Sequence, residues 1–159
     1  GVCLMGASTQ AREFRAAVFN RCVSLYSGDT DPYTLVVRGL PAFATADDNV
    51  CVGAVTANQE AVTFGTQRSR EESLTCQIDF YSFRGGGVAM EEVVEARAYE
   101  MLDELAQYVR VTDTTLGGVV RQCFLTDIAA DAATDPDVLA KGRMHVITAT
   151  LSAEVRVRS

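Results

Sequence analysis

Two stretches of the chain alternate apolar and polar residues with a strict period of two. In residues 72–83, ESLTCQIDFYSF, Leu74, Cys76, Ile78 and Phe80 share one side, and Thr75, Gln77, Asp79 and Tyr81 share the other. In residues 143–157, RMHVITATLSAEVRV, one side holds His145, Ile147, Ala149, Leu151, Ala153, Val155 and Val157. The other side holds Thr148, Thr150, Ser152, Glu154 and Arg156. Successive side chains of a β-strand point to opposite faces, so this pattern demands strands with one buried face and one face left to water or a partner. Whatever else the chain forms must cover one side of a sheet.

Two helical stretches supply that cover. Residues 9–26 place Phe14, Val18, Cys22 and Leu25 at spacings of three and four, with Thr9 able to cap the start. Residues 88–110 carry a stripe of Val94, Ala98, Met101, Leu105 and Val109, widened by Val93 and Leu102. Glu91, Glu92, Glu95 and Glu100 gather toward its first half, where the helix dipole favours acids. Weaker strand signals occupy residues 33–41, 50–57 and 119–129, and Gly53 marks a bulge in the second. Residues 58–72 are polar without a period and read as an exposed arm or a long hairpin. Residues 130–142, which hold Pro136, read as a loop.

The predicted fold is therefore α+β: a single antiparallel or mixed sheet of about 4–6 strands with two α-helices packed on one face. The length of 159 residues fits a single domain spanning 1–159. A net charge of −7 lacks the basic excess a general nucleic-acid binder uses to displace counterions. Five scattered cysteines form no Cys-x-x-Cys motif, and Cys76 and Cys123 sit in apolar runs as small core residues. No apolar run approaches the ~20 residues of a membrane span, and the start GVCLMGASTQ has neither the basic region nor the long apolar region of a signal peptide. A cytoplasmic product is the expectation.

Sites of chemistry are sparse. Gly117 and Gly118 in TTLGG follow a helix and precede a strand, the reverse of the strand-to-helix order that aims backbone N–H groups at a phosphate. They read as a turn, with Leu116 tucked beneath it. The glycines of RGGG, residues 84–87, precede a helix, yet Glu91 and Glu92 nearby would repel an anion. His145 is the single histidine and lies in phase with an apolar face, which makes it a structural residue; the catalytic alternative pairs it with Cys76 or Cys123. The acidic doublets Asp47–Asp48, Glu71–Glu72 and Glu91–Glu92 read as solvated. No catalytic residue, metal ligand or cofactor site is expected.

The run QRSREE, residues 67–72, stands at the entrance to the first alternating strand. As a single copy it is a solvated loop. In a symmetric ring its basic part, Arg68 and Arg70, would face the acidic part, Glu71 and Glu72, of the next subunit in a head-to-tail contact.

Three features together resemble the tail terminator proteins of long-tailed bacteriophages. They are an N-terminal helix leading into short strands and a polar arm; REESLTCQIDFYSFRGG followed by the helical EARAYEMLDELAQYVR; and TTLGGVVRQCFLTDI followed by a loop, Gly142 and a long terminal strand ending AEVRVRS. The resemblance covers residues 60–159 well and 1–59 loosely. It implies a virion structural protein: a six-membered ring that caps the head-proximal end of the tail tube, stops its growth and meets the head connector. The implied partners are further copies of the chain, the tail tube protein and a neck protein, with DNA passing through the ring and no enzymatic role. Other neck, tail-completion or head-closure proteins of related fold, and a small ligand-binding domain using the open sheet face, are the alternatives.

Overall fold

The computed structural model of the chain describes residues 8–26, 34–39, 47–61, 69–132 and 136–158. The elements run α1 (Ala11–Tyr26), β1 (Thr34–Arg38), β2 (Asp48–Ala61), β3 (Ser69–Gly85), α2 (Met90–Gln107), β4 (Gln122–Ala132), α3 (Pro136–Lys141) and β5 (Gly142–Arg158). The five strands form one mixed sheet in the order β1-β2-β3-β5-β4. Only the β1–β2 pair is parallel. The α+β expectation holds, with α1 lying against β1 and β2 and α2 lying against β3 and β5.

The two alternating stretches are the centre of the sheet. β3 and β5 pair without interruption from Ser69↔Arg158 to Gly85↔Gly142. Leu74, Cys76, Ile78, Phe80, Ile147, Ala149 and Leu151 are all fully buried on the helix side. Phe14, Val18, Cys22 and Tyr26 of α1, and Ala98, Met101, Leu102 and Leu105 of α2, complete the same core. Each fully buried Leu, Ile or Phe removes enough apolar surface from water to contribute about 1.5–3 kcal/mol, so these strands are the main source of stability.

Local structure departs from the sequence reading in several places. Tyr26 rather than Leu25 closes the α1 stripe, because its hydroxyl reaches over and donates to the carbonyl of Met101. Val93 is 44% exposed, on the flank of the α2 stripe rather than within it. α2 continues through a π-helical turn, Tyr108–Thr112. Val119 to Arg121 belong to the turn before β4 rather than to the strand, and β4 runs on to Ala132. Pro136–Lys141 form a short helix where a loop was expected; six residues are under two turns, too few to show a period, although proline suits the first helical position. The side chain of Val157 lies outside the described set.

Gly53 does mark an irregularity: the β2–β3 register shifts between Val52 and Val55. A Cβ on Gly53 would stand 2.9 Å from the Gln77 carbonyl oxygen, so only glycine allows the strands to approach there. Beyond this bulge, Asn58 to Ala61 pair with Arg70 to Ser73 as an antiparallel ribbon. Residues 62–68 lie outside the described set.

Candidate functional site

Of the four residues singled out at the strand entrance, Arg68 lies outside the described residues. Arg70 is placed by its backbone, which pairs with Ala61 and Val157. Glu71 and Glu72 then separate, because adjacent strand residues point to opposite faces. Glu71 lies on the open face of the sheet, half-buried, with an ion pair to Arg121 and a longer one, 3.9 Å, to Arg156. The Arg121 backbone N–H donates to the Glu154 carbonyl, which fixes the end of the β4 turn to β5. Beside this trio opens a cleft of ≈ 420 Å³ lined by Gly118, Val119, Val120, Arg121, Val155 and Arg156.

Glu72 points the other way and is fully buried, not solvated. Its carboxylate accepts from the Thr9 hydroxyl at 2.6 Å, the Gln10 backbone N–H at 2.8 Å and the Gln59 side-chain amide at 2.6 Å. Thr9 in turn accepts from the Ala11 N–H, and Gln10 accepts the first helical bond from Phe14. An acid on the sheet thus caps the start of α1, where unpaired N–H groups and the helix dipole favour negative charge. Glu72 holds one subunit's own parts together instead of reaching outward.

Asp48 is a second inward acid, fully buried at the other end of the core face and not solvated. Arg84 approaches it at 2.9 Å, Arg97 at 3.0 Å and the Ser82 hydroxyl donates at 2.7 Å. Arg97 also donates to Thr34 of β1, so the cluster ties β1, β2, β3 and α2 at one point. Burial alone would raise the Asp48 pKa; the hydrogen bonds from Arg84, Ser82 and Arg97 outweigh it and hold the carboxyl below its ordinary range. Both inward acids were visible in phase: position 72 shares the register of Leu74, Cys76 and Ile78, and position 48 that of Val50 and Val52. That phase was the signal missed.

The LGG stretch is a turn, as expected. Leu116 is buried beneath it with φ 50°, and Gly117 and Gly118 follow with φ 71° and 89°. Asp113 organises it, accepting from the Gly117 N–H at 2.9 Å while pairing with Arg21 of α1 at 3.2 Å. His145 is buried beside Tyr99, with ring centroids 6.0 Å apart. It pairs with Ser82, whereas Cys76 pairs with Leu151 and Cys123 with Ala153, so neither thiol is its neighbour. Along a strand those offsets amount to ~20 Å or more. Burial pushes the thiols of Cys22, Cys51, Cys76 and Cys123 up to about 12. Among the described residues there is no group of three or more His, Cys, Asp or Glu that could hold a metal ion, and no helix is long and apolar enough to cross a membrane.

What the arrangement offers is surface: an open sheet face, a charged ribbon end and a helix layer whose outer side carries Glu91, Glu92, Glu95, Glu100 and Asp103. A solved particle contains a chain of this fold. The match is to a chain described as the virion of a native gene transfer agent particle, with a TM-score of 0.52 at 13% identity, over 96% of this chain and 100% of that one. The likeness is one of fold. No family model and no curated protein matches the sequence.

Proposed function

We propose that this chain is a structural protein of a phage-type virion, and specifically a tail terminator. The observation that carries the reading is the fold likeness to a chain of a gene transfer agent virion, over 96% of this chain and 100% of that one. The order of strand, helix, LGG turn and closing strands, which resembles tail terminators in sequence, supports the finer assignment. In this role the chain has no catalytic centre. Six copies form a ring on the head-proximal end of the tail tube, one ring face matching the last tube ring and the other the neck, with assembly in the host cytoplasm.

The ribbon end is the proposed subunit contact, with Arg68, Arg70 and the outward Glu71 as its charged residues. Glu72 is not among the groups that meet a neighbour, since three donors of its own chain surround it. Reversing both arginines, Arg68→Glu with Arg70→Glu, is expected to lower particle yield at least ~10-fold; wild-type yield would remove them from the contact. Electron microscopy of particles made without this gene tests the larger reading. Overlong tails that fail to join heads are expected. Normal-length tails that lack heads would point instead to another neck or completion protein, and normal joined tails would overturn the virion role.

A further inference from the structure

Among the described residues the sheet ends on one side in β4, an eleven-residue strand laddered to β5. Among the described residues no other backbone group bonds to its outer edge. Residues 126–132 are all exposed, and Ile128 is 53% exposed although it pairs with Ala149 of the core face. The strand contains no proline, lysine or arginine; its guards against edge pairing are a bulge between Leu125 and Asp127 and the exposed acids Asp127 and Asp131. At the far side the sheet ends in β1, residues Thr34–Arg38.

We infer that β4 of one copy pairs with β1 of the next, so that the sheet continues from subunit to subunit; this rests on the ring proposed above. Strand direction permits it. β1 and β2 run together, β3 opposes them, β5 runs with β2, and β4 opposes β5. β4 is therefore antiparallel to β1, and a rotation that preserves strand direction lays β1 of the next copy antiparallel on it. Faces match as well. Val36 pairs with Val50 and so lies on the helix side, as Ile128 does, while Leu35 and Val37 lie on the open side with Phe124 and Asp127. The incoming strand thus gives Ile128 an apolar neighbour.

Charge selects this occupant over a second β4. β4 carries Asp127 and Asp131 on the open face and no base, whereas β1 carries no acid, its Arg38 lying on the helix side over the Phe19 ring. Two β4 strands paired about Ala129 would set Asp127 opposite Asp131 twice, and like charges directly opposite destabilise a ladder. Such a contact would also be two-fold and would close at two copies, whereas β4 on β1 is head-to-tail, the kind of contact from which rings are built.

Hydrogen exchange on the full-length chain, compared between monomer and assembled ring, tests the pairing. Amides in both 126–132 and 34–38 are expected to slow together on assembly, by ~100-fold or more. Ile128→Lys is expected to raise the concentration needed for assembly at least ~10-fold while leaving the monomer's thermal midpoint unchanged. Slowing in β4 without slowing in β1 would assign the edge to another partner and overturn the inference. A ring whose β4 amides exchange as in the monomer, or an Ile128→Lys chain that assembles normally, would overturn it and leave the ring reading intact. A wild-type chain that never assembles, alone or on tail tubes, would overturn both.

Discussion

Glu71 and Glu72 are neighbours in sequence and opposites in the fold. The first shares its charge with Arg121 and Arg156 at the surface, where ion pairs contribute about 1 kcal/mol or less. The second is buried beneath the start of α1 and accepts three hydrogen bonds. Removing it strands donors from two other segments, and each donor left unsatisfied costs about 1–3 kcal/mol. Glu72→Ala is therefore expected to destabilise the chain by about 3 kcal/mol or more, and Glu71→Ala by less than about 1 kcal/mol, in urea titrations followed by circular dichroism. Equal effects would mean that the cap contributes nothing to folding. The contrast was legible in the sequence, because Glu72 keeps step with Leu74, Cys76, Ile78 and Phe80. An acid in an apolar register is a partnered acid, and the partners, Thr9, Gln10 and Gln59, lay too far away along the chain to be read from local pattern.

Elements were legible to the degree that they repeat. β3, β5, α1 and α2 have long apolar periods, and their buried faces follow those periods residue by residue. β4 has little buried face: Cys123 is its one buried residue, and its residues from Thr126 on are exposed. Its limits therefore followed from pairing with β5 and not from its own pattern. The π-helical turn at Tyr108–Thr112 is likewise a tertiary product, set where Asp113 meets Arg21 and the Gly117 N–H. That turn fixes where α2 hands over to the closing strands, and its geometry disfavours a side chain at Gly117. The φ of 71° disfavours any other residue, and a Cβ would lie 3.0 Å from the Arg21 guanidinium. Gly117→Ala is expected to cost about 1–2 kcal/mol, read as a lower thermal midpoint. An unchanged midpoint would show that the turn has another conformation open to it.

The whole molecule is braced at opposite ends of its core face by two inward acids, Glu72 at the ribbon and Asp48 at the junction of β1, β2, β3 and α2. Asp48 makes stability depend on acid. Its carboxyl titrates below the ordinary value of 3.8 in the folded chain, so its contribution is fully present above that value and is lost as pH falls through the lower folded pKa. Stability is expected to drop below about pH 4, and Asp48→Asn is expected to flatten that drop while costing about 3 kcal/mol at neutral pH, since it removes the buried carboxylate that Arg84 and Arg97 share, the exposed Glu100 remaining beside Arg97. An acid-unfolding profile unchanged by Asp48→Asn would place the acid sensitivity elsewhere.

The uninterrupted β3–β5 ladder also sets the order of events when the chain is made. Its paired residues stand roughly sixty to ninety positions apart, so closing it carries the loop entropy of nearly half the protein. β3 leaves the ribosome long before β5 exists, with β2 on one edge and nothing on the other. The β4–β5 hairpin is the local unit that forms late and then zips onto the waiting strand. A nascent chain halted before Gly142 lacks the strand that closes the core, so this fold completes only after β5 has been made.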